Sequence, residues 1–207
     1  MNLFANRLLD MEFYKQVDDI IEVGLRRYRD KYAVGQTIDN PFVLYEKYSR
    51  RDVSLLMNCG KDLSSTMYGM KRVGDDVFVF VTYHKETSEN DDKNYVEGKP
   101  DYADAFEDNM IFRWDSQIGR GIDSSYMKEV RTATRKHLLV KKSDAETNFY
   151  YMGLFDIMEE KADKKKDNNG KERDITKVKM KMRHPVRDDL LCYLQSSIKE
   201  KEDKKVV

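Results

Sequence analysis

The run Val77-Phe78-Val79-Phe80-Val81-Thr82-Tyr83-His84 constrains this chain more than any other stretch. Side chains of a strand alternate between two faces, and here both faces are apolar, so the strand belongs in the middle of a sheet covered on both sides. Before it, Thr66-Met67-Tyr68-Gly69-Met70-Lys71-Arg72 reads as a partner strand and Val73-Gly74-Asp75-Asp76 as a tight turn, because Gly and Asp tolerate the backbone angles a hairpin needs. Gly69 and Gly74 also have the gap of a phosphate-binding loop, but Asp75 stands where that loop needs lysine, and the setting is strand-turn-strand. A further strand, Met110-Ile111-Phe112-Arg113-Trp114-Asp115, carries the only tryptophan toward Ser116 and Gln117. These residues argue for a fold and name no reaction.

Around this centre the other elements follow from periodicity. Between Met11 and Tyr32 the apolar residues Tyr14, Val17, Ile21, Leu25 and Tyr28 recur every three or four positions, which predicts an amphipathic helix. Ser49, followed three residues later by Asp52, signals a capped second helix with Val53, Leu56 and Met57 inward. Asp123-Ser124-Ser125 opens a third helix through about Arg135, with strands expected at His137 to Lys142 and Asn148 to Ile157. Glu159 to Asp174 is lysine-rich around Asn168-Asn169-Gly170 and reads as an extended, mobile hairpin loop. A strand from Ile175 to Arg183 and a helix from Arg187 to Ile198 close the series. The order suits an α+β domain whose mostly antiparallel, strongly curved, barrel-like sheet is flanked by about four helices. One domain is expected over residues 1–207, with the N-terminal helix at 11–32, the curved sheet and its helices at 42–198, and a frayed tail at 199–207.

Lys plus Arg and Asp plus Glu each total 38 among 207 residues, so any attraction to a polyanion must be local. The charge is indeed polarised. Glu86 to Asp108 holds nine acidic residues against two lysines, which serves either as a solvated loop or as an acidic mouth beside a site. Lys161 to Arg187 holds eleven basic residues against four acids. Within it, Lys177-Val178-Lys179-Met180-Lys181-Met182-Arg183 puts Val178, Met180 and Met182 on one strand face and the four cations on the other. Cations about 7 Å apart can follow a phosphate backbone, and they can equally form an ordinary solvated face. Cys59 and Cys192 lack metal or redox spacing and read as reduced thiols. The first ten residues lack a basic start followed by a long apolar run, and no stretch approaches a membrane span. A cytoplasmic protein is expected.

Gly119-x-Gly121, just before a helix start and beside Arg120, could hold a phosphate on its N–H groups or serve as a flexible loop. His84, His137 and His184 have no second ligand at metal spacing. Asp144 with Glu159-Glu160-Lys161 imitates the order of a metal-dependent nuclease, although Lys161 falls in an expected loop. The alternation Phe112, Trp114, Ser116 sets two aromatics on one face, as core or as a base-stacking surface.

Several pieces, in order, resemble one family. Phe42-Val43-Leu44-Tyr45-Glu46-Lys47-Tyr48-Ser49-Arg50-Arg51-Asp52-Val53, Ser64-Ser65-Thr66-Met67-Tyr68-Gly69 and Val79-Phe80-Val81-Thr82-Tyr83-His84-Lys85 look like its front half. Phe112-Arg113-Trp114-Asp115-Ser116-Gln117, His137-Leu138-Leu139-Val140-Lys141-Lys142, Phe149-Tyr150-Tyr151-Met152-Gly153 and Met182-Arg183-His184-Pro185 look like the rest. The family is domain of unknown function 3427, which commonly ends bacterial superfamily II helicases of restriction type. The resemblance implies a DNA-handling setting, in restriction or phage defence, and supplies no catalytic residue. The expectation is a non-catalytic DNA-binding or DNA-recognition module without cofactor or metal. Lys177, Lys179, Lys181, Arg183 and Arg120 would lie on phosphates, and Trp114 and Gln117 would contact bases. The alternative is a protein-interaction module docking onto a helicase or nuclease partner. A metal-dependent nuclease ranks last.

Overall fold

The computed structural model describes residues 3–32, 40–84, 104–167 and 169–196. The chain divides into two compact units, Met1–Val43 and Leu44–Val207. In the first, a short helix α1 (Leu3–Arg7) precedes α2 (Met11–Tyr32), the amphipathic helix that its apolar spacing predicts. Asp10 caps α2, its Oδ1 accepting from the N–H groups of Glu12 at 2.9 Å and Phe13 at 3.2 Å.

The second unit runs β1 (Lys47–Tyr48), α3 (Arg50–Leu56), a 3₁₀ turn (Ser64–Thr66), β2 (Met70–Val73), β3 (Asp76–His84), β4 (Ala105–Phe106) and β5 (Ile111–Asp115). It continues through α4 (Ser125–Thr132), β6 (Arg135–Ser143), β7 (Phe149–Lys166), β8 (Glu172–Met182) and α5 (Asp188–Gln195). The capping box opening α3 is formed: the Asp52 N–H donates to Ser49 Oγ at 3.1 Å, and the Ser49 N–H donates to the Asp52 carboxylate at 2.9 Å. The β2–β3 hairpin turns at Gly74, whose φ of +60° lies in the left-handed region.

The sheet corrects the expected architecture. Eight strands lie in the order β2-β3-β6-β7-β8-β5-β4, with β1 added against β7. β3 and β6 pair in parallel, so the sheet is mixed, and it is neither closed nor strongly curled. Five α-helices occur among the described residues, not about four. Hairpins dominate the sequence pattern, but a parallel pair needs a long crossover, and β4, β5 and α4 all lie between β3 and β6. Nothing local in either strand announces its direction.

β3 does occupy an interior position covered on both faces. Val77, Val79, Val81 and Tyr83 join the core with Met127 and Val130 of α4 and Leu190 and Leu194 of α5. On the opposite face Phe80 meets Phe149 edge-on at 5.3 Å, under the Arg50 guanidinium, and Phe78 stacks on His137 at 4.5 Å. That second face buries a polar chain. Asp76 Oδ1 accepts from His137 Nε2 at 2.7 Å and from Arg135 Nε at 2.6 Å, while Oδ2 accepts from Arg135 Nη2 at 2.7 Å. The carboxylate fixes the neutral His137 tautomer with its proton on Nε2, so Nδ1 accepts from the Tyr151 hydroxyl at 3.0 Å. Burial holds His137 below the ordinary histidine range despite Asp76. For Asp76 burial pushes upward, but the bonds from His137 and Arg135 outweigh it and hold the carboxyl low.

Two further expectations change. Glu159 to Asp174 is not a loose loop, because β7 and β8 stay paired out to Lys166 and Glu172. Asp167 Oδ1 closes the turn by accepting from the Asn169 and Lys171 N–H groups, each at 3.0 Å. Of the acidic stretch Glu86 to Asp108, residues up to 103 lie outside the described residues, as does the tail Lys199 to Val207. Among the described residues no helix is long and apolar enough to cross a membrane.

Candidate nucleic-acid interface

The β8 cations do share one strand face, with Val178, Met180 and Met182 buried on the other. Their neighbours, however, are acids. Lys177 Nζ lies 2.6 Å from Asp163, Lys179 Nζ 2.8 Å from Glu107, and the Arg183 guanidinium grips Asp156 at 2.9 and 3.1 Å. The carboxylates hold Lys177, Lys179 and Arg183 above their ordinary ranges. Lys181 has no ion pair among the described residues. The face is thus a charge mosaic, since β7 and the turn before β5 set acids between the cations.

The nuclease-like residues are engaged separately. Glu160 accepts from Arg131 Nε at 2.7 Å, Asp144 lies 3.4 Å from Lys141 Nζ, and Lys161 stands in β7 opposite Lys177, not in a loop. His84 Nε2 contacts the Leu194 carbonyl at 2.8 Å.

Arg120 and Gln117 lie elsewhere, on the loop after β5, and this loop is anchored. The Ser116 N–H donates to the Thr176 carbonyl at 2.9 Å and the Thr176 N–H returns to Ser116 Oγ at 2.8 Å. Both hydroxyls then donate to the Arg120 carbonyl, at 2.7 and 3.1 Å. Gly119, with φ +83°, spends its N–H on the Asp174 carbonyl, and Ser124 Oγ caps α4 through the Met127 N–H. The glycine loop therefore serves as a turn tied to β8, with the Gly119 N–H engaged internally.

This loop, the turn before β2 and the face of α4 enclose an open cleft of about 660 Å³. Tyr68 projects into solvent at its edge, 61% exposed, with the Arg50 guanidinium 4.8 Å from its ring centre. Gln117 lies across Gly69 and donates from Nε2 to the Tyr68 carbonyl at 3.1 Å. A Cβ on Gly69 would stand 2.5 Å from that nitrogen, so the amide fits there only over glycine. With Nε2 committed, Gln117 keeps Oε1 as an acceptor.

Tyr126, in the first turn of α4, forms the inner wall. It is 9% exposed, stacks on the buried Trp114 at 6.3 Å, and has the Arg120 guanidinium 5.4 Å from its ring centre. Its hydroxyl has no hydrogen-bond partner among the described residues, and burial pushes its pKa well upward, so it stays protonated. Thr66, Met70, Lys71, Arg72 and Glu129 complete the lining. Arg72 is held in place by bonds to the Gly74 carbonyl, the Glu129 carbonyl and Thr132 Oγ1.

Of the residues expected from sequence to contact DNA, Arg120 and Gln117 meet at this cleft and Trp114 backs it from the core. Tyr68, Lys71 and Tyr126 were missed as site residues. The Tyr68-Gly69 turn was legible, but no spacing could join it to residues some fifty positions later.

Residues 42–194 match the family model described as Domain of unknown function (DUF3427). The chain belongs to this family. The match takes in every wall of the cleft, so the site is part of the DUF3427 domain, whereas α1 and α2 precede it. No curated protein matches the DUF3427 chain in sequence. Among solved structures it is similar to SUVH6 of Arabidopsis thaliana in complex with SAM, at a TM-score of 0.42 and 8% identity, over 79% of this chain and 31% of that one. It is also similar to KRYPTONITE in complex with mCHG DNA and SAH, at a TM-score of 0.40 and 11% identity, over 86% of this chain and 39% of that one. A third is the sulfur binding domain and SRA domain of ScoMcrA complexed with phosphorothioated DNA, at 0.38 and 10%, over 75% of this chain and 45% of that one. The DUF3427 chain thus spans less than half the length of each.

Proposed function

We propose that this domain is a non-catalytic DNA-recognition module that takes one unstacked base into the cleft and holds the flanking phosphates on Lys71 and Arg120. The observation that carries it is the Tyr126 hydroxyl, buried on a residue of the cleft wall and without a hydrogen-bond partner among the described residues. An unpaired buried hydroxyl costs about 1–3 kcal/mol, and a ligand with a polar edge recovers that cost on binding. The remaining groups suit a nucleobase. The exposed Tyr68 ring offers a stacking face, Gln117 Oε1 an acceptor, and the cations a path for the attached phosphates.

Trp114 acts from behind, fixing the plane of Tyr126. Lys181 extends the phosphate track, while Lys177, Lys179 and Arg183 join it by exchanging their exposed carboxylate partners, which hold them by about 0–1 kcal/mol each. Because the chain's motifs resemble domains that end bacterial superfamily II helicases, we assign the nucleic acid as DNA. Its setting would be a helicase or nuclease of a restriction or phage-defence system.

Fluorescence anisotropy against labelled single-stranded, duplex and modified duplex DNA tests this. We expect binding that weakens with salt at a log-log slope of about −2 to −3 for phosphates on Lys71, Arg120 and Lys181, steeper by up to about 3 where Lys177, Lys179 and Arg183 join. The double change Lys71→Glu and Arg120→Glu should remove it, and 2-aminopurine in the target strand should brighten on unstacking. Failure to bind any of these DNAs at low salt would turn the assignment to a module docking on a helicase or nuclease partner.

A further inference from the structure

Helix α2 exposes apolar side chains on two sides. Ile21, Leu25 and Tyr28 lie on the side that the amphipathic spacing marks, and Ile20, 72% exposed, and Val23, 45% exposed, lie on the other. An open groove of about 410 Å³ lies on the helix, lined by Asp19, Ile20, Val23, Gly24 and Arg27. Its floor is apolar, with an acid at the N-terminal end and an arginine at the C-terminal end. Gly24 leaves open space where a Cβ would project, so another backbone can approach closely there.

The whole helix repeats this polarity. Glu12, Asp18, Asp19 and Glu22 against Lys15 make its first part acidic, and Arg26, Arg27, Arg29 and Lys31 against Asp30 make the second basic. Within the helix these charges are barely used, Glu22 and Arg26 being 3.6 Å apart in an exposed pair. A surface with an apolar middle and opposite charges at its ends is complementary to itself after a half-turn.

We infer that α2 docks on α2 of a second copy of this chain, antiparallel, about a twofold axis near Val23 that sets Asp19 of each copy against Arg27 of the other. The parallel arrangement would place acid on acid and arginine on arginine. The inference is independent of the cleft, from which α2 is separate in sequence.

Sedimentation velocity of the full chain over a concentration series reads the outcome. The wild type should shift from monomer toward dimer, and Val23→Asp should abolish the shift. Asp19→Arg alone and Arg27→Glu alone should each weaken the dimer by about tenfold, as two symmetric contacts turn repulsive. The double variant Asp19→Arg with Arg27→Glu should restore it, because the swapped charges again meet as opposites. A wild type that stays monomeric at every concentration overturns the inference. So does a dimer that the single changes leave intact, which would mark parallel packing or another surface. Circular dichroism of each variant separates lost association from lost helix.

Discussion

Among the tyrosines buried in the second unit, Tyr151 and Tyr126 have hydroxyls that meet opposite fates. Tyr151 donates to His137, which is tied to Asp76 and through it to Arg135. Tyr126 is nearly as enclosed, yet its hydroxyl has no hydrogen-bond partner among the described residues, and the residue lines a cleft. In the first region every polar group of the chain has an intramolecular use, so it fixes how β3 and β6 sit together. In the second a buried hydroxyl has no bond to its own chain among the described residues, on a residue that lines the cleft. A satisfied buried network belongs to stability, and an unsatisfied group beside an opening points to binding.

The largest effect should come from breaking the closed network. Asp76→Ala leaves the His137 and Arg135 donors without their carboxylate and should cost about 3–5 kcal/mol, read as a lower denaturation midpoint at unchanged slope. Acid should approach the same damage in stages. His137 is held below its ordinary value, so the stability linked to its neutral form is complete above about pH 6.5 and declines as pH falls below that. Asp76 is likewise held low, so its share is present above about pH 4 and is lost only below it. Thermal melts from pH 7.5 to 3.5 should fall in that order, and a flat profile would remove the neutral His137 from the account.

A smaller loss, of about 1–2 kcal/mol, should follow Gly69→Ala, because φ of +69° strains any residue with a Cβ. Here the two regions separate. The added methyl also displaces the Gln117 amide, so DNA affinity should drop more than stability, as anisotropy and urea denaturation on one preparation would reveal. Equal losses would reduce the cleft to ordinary packing.

The finest test deletes one oxygen from each tyrosine. Tyr151→Phe should destabilise by about 1 kcal/mol, removing the hydroxyl donor to His137 Nδ1, with DNA binding untouched. Tyr126→Phe should leave stability unchanged or raise it by about 1 kcal/mol, while weakening DNA binding by about five- to tenfold. A Tyr126→Phe protein that binds DNA as the wild type does would remove the hydroxyl from the recognition scheme.

The outer bounds of these regions were legible in the sequence at particular residues. The Ser49 and Asp52 capping box, the Gly74 turn, the α2 period and the buried Val178, Met180 and Met182 were all read correctly. Each depends on residues within a few positions, where backbone geometry links spacing directly to contact. The same periodicity that described β8 gave its outer face as bare cations, and the structure returns Asp163, Glu107 and Asp156 to them from other strands and turns. Likewise the spacing in α2 marks Tyr14, Val17, Ile21, Leu25 and Tyr28, whereas the open groove lies on Ile20 and Val23.

What the sequence determined by itself was therefore most of the longer elements, the buried faces of β3 and β8, and the family. Only the tertiary structure decided that β3 and β6 run parallel, and that the sheet stays open. It also decided that Tyr68, Gln117 and Tyr126 share one cleft. The physical reason is that alternation records which side of a strand leaves water, a property of neighbours along the chain. Which strand lies alongside, in which direction, depends on crossovers and long-range packing that no short window of residues encodes.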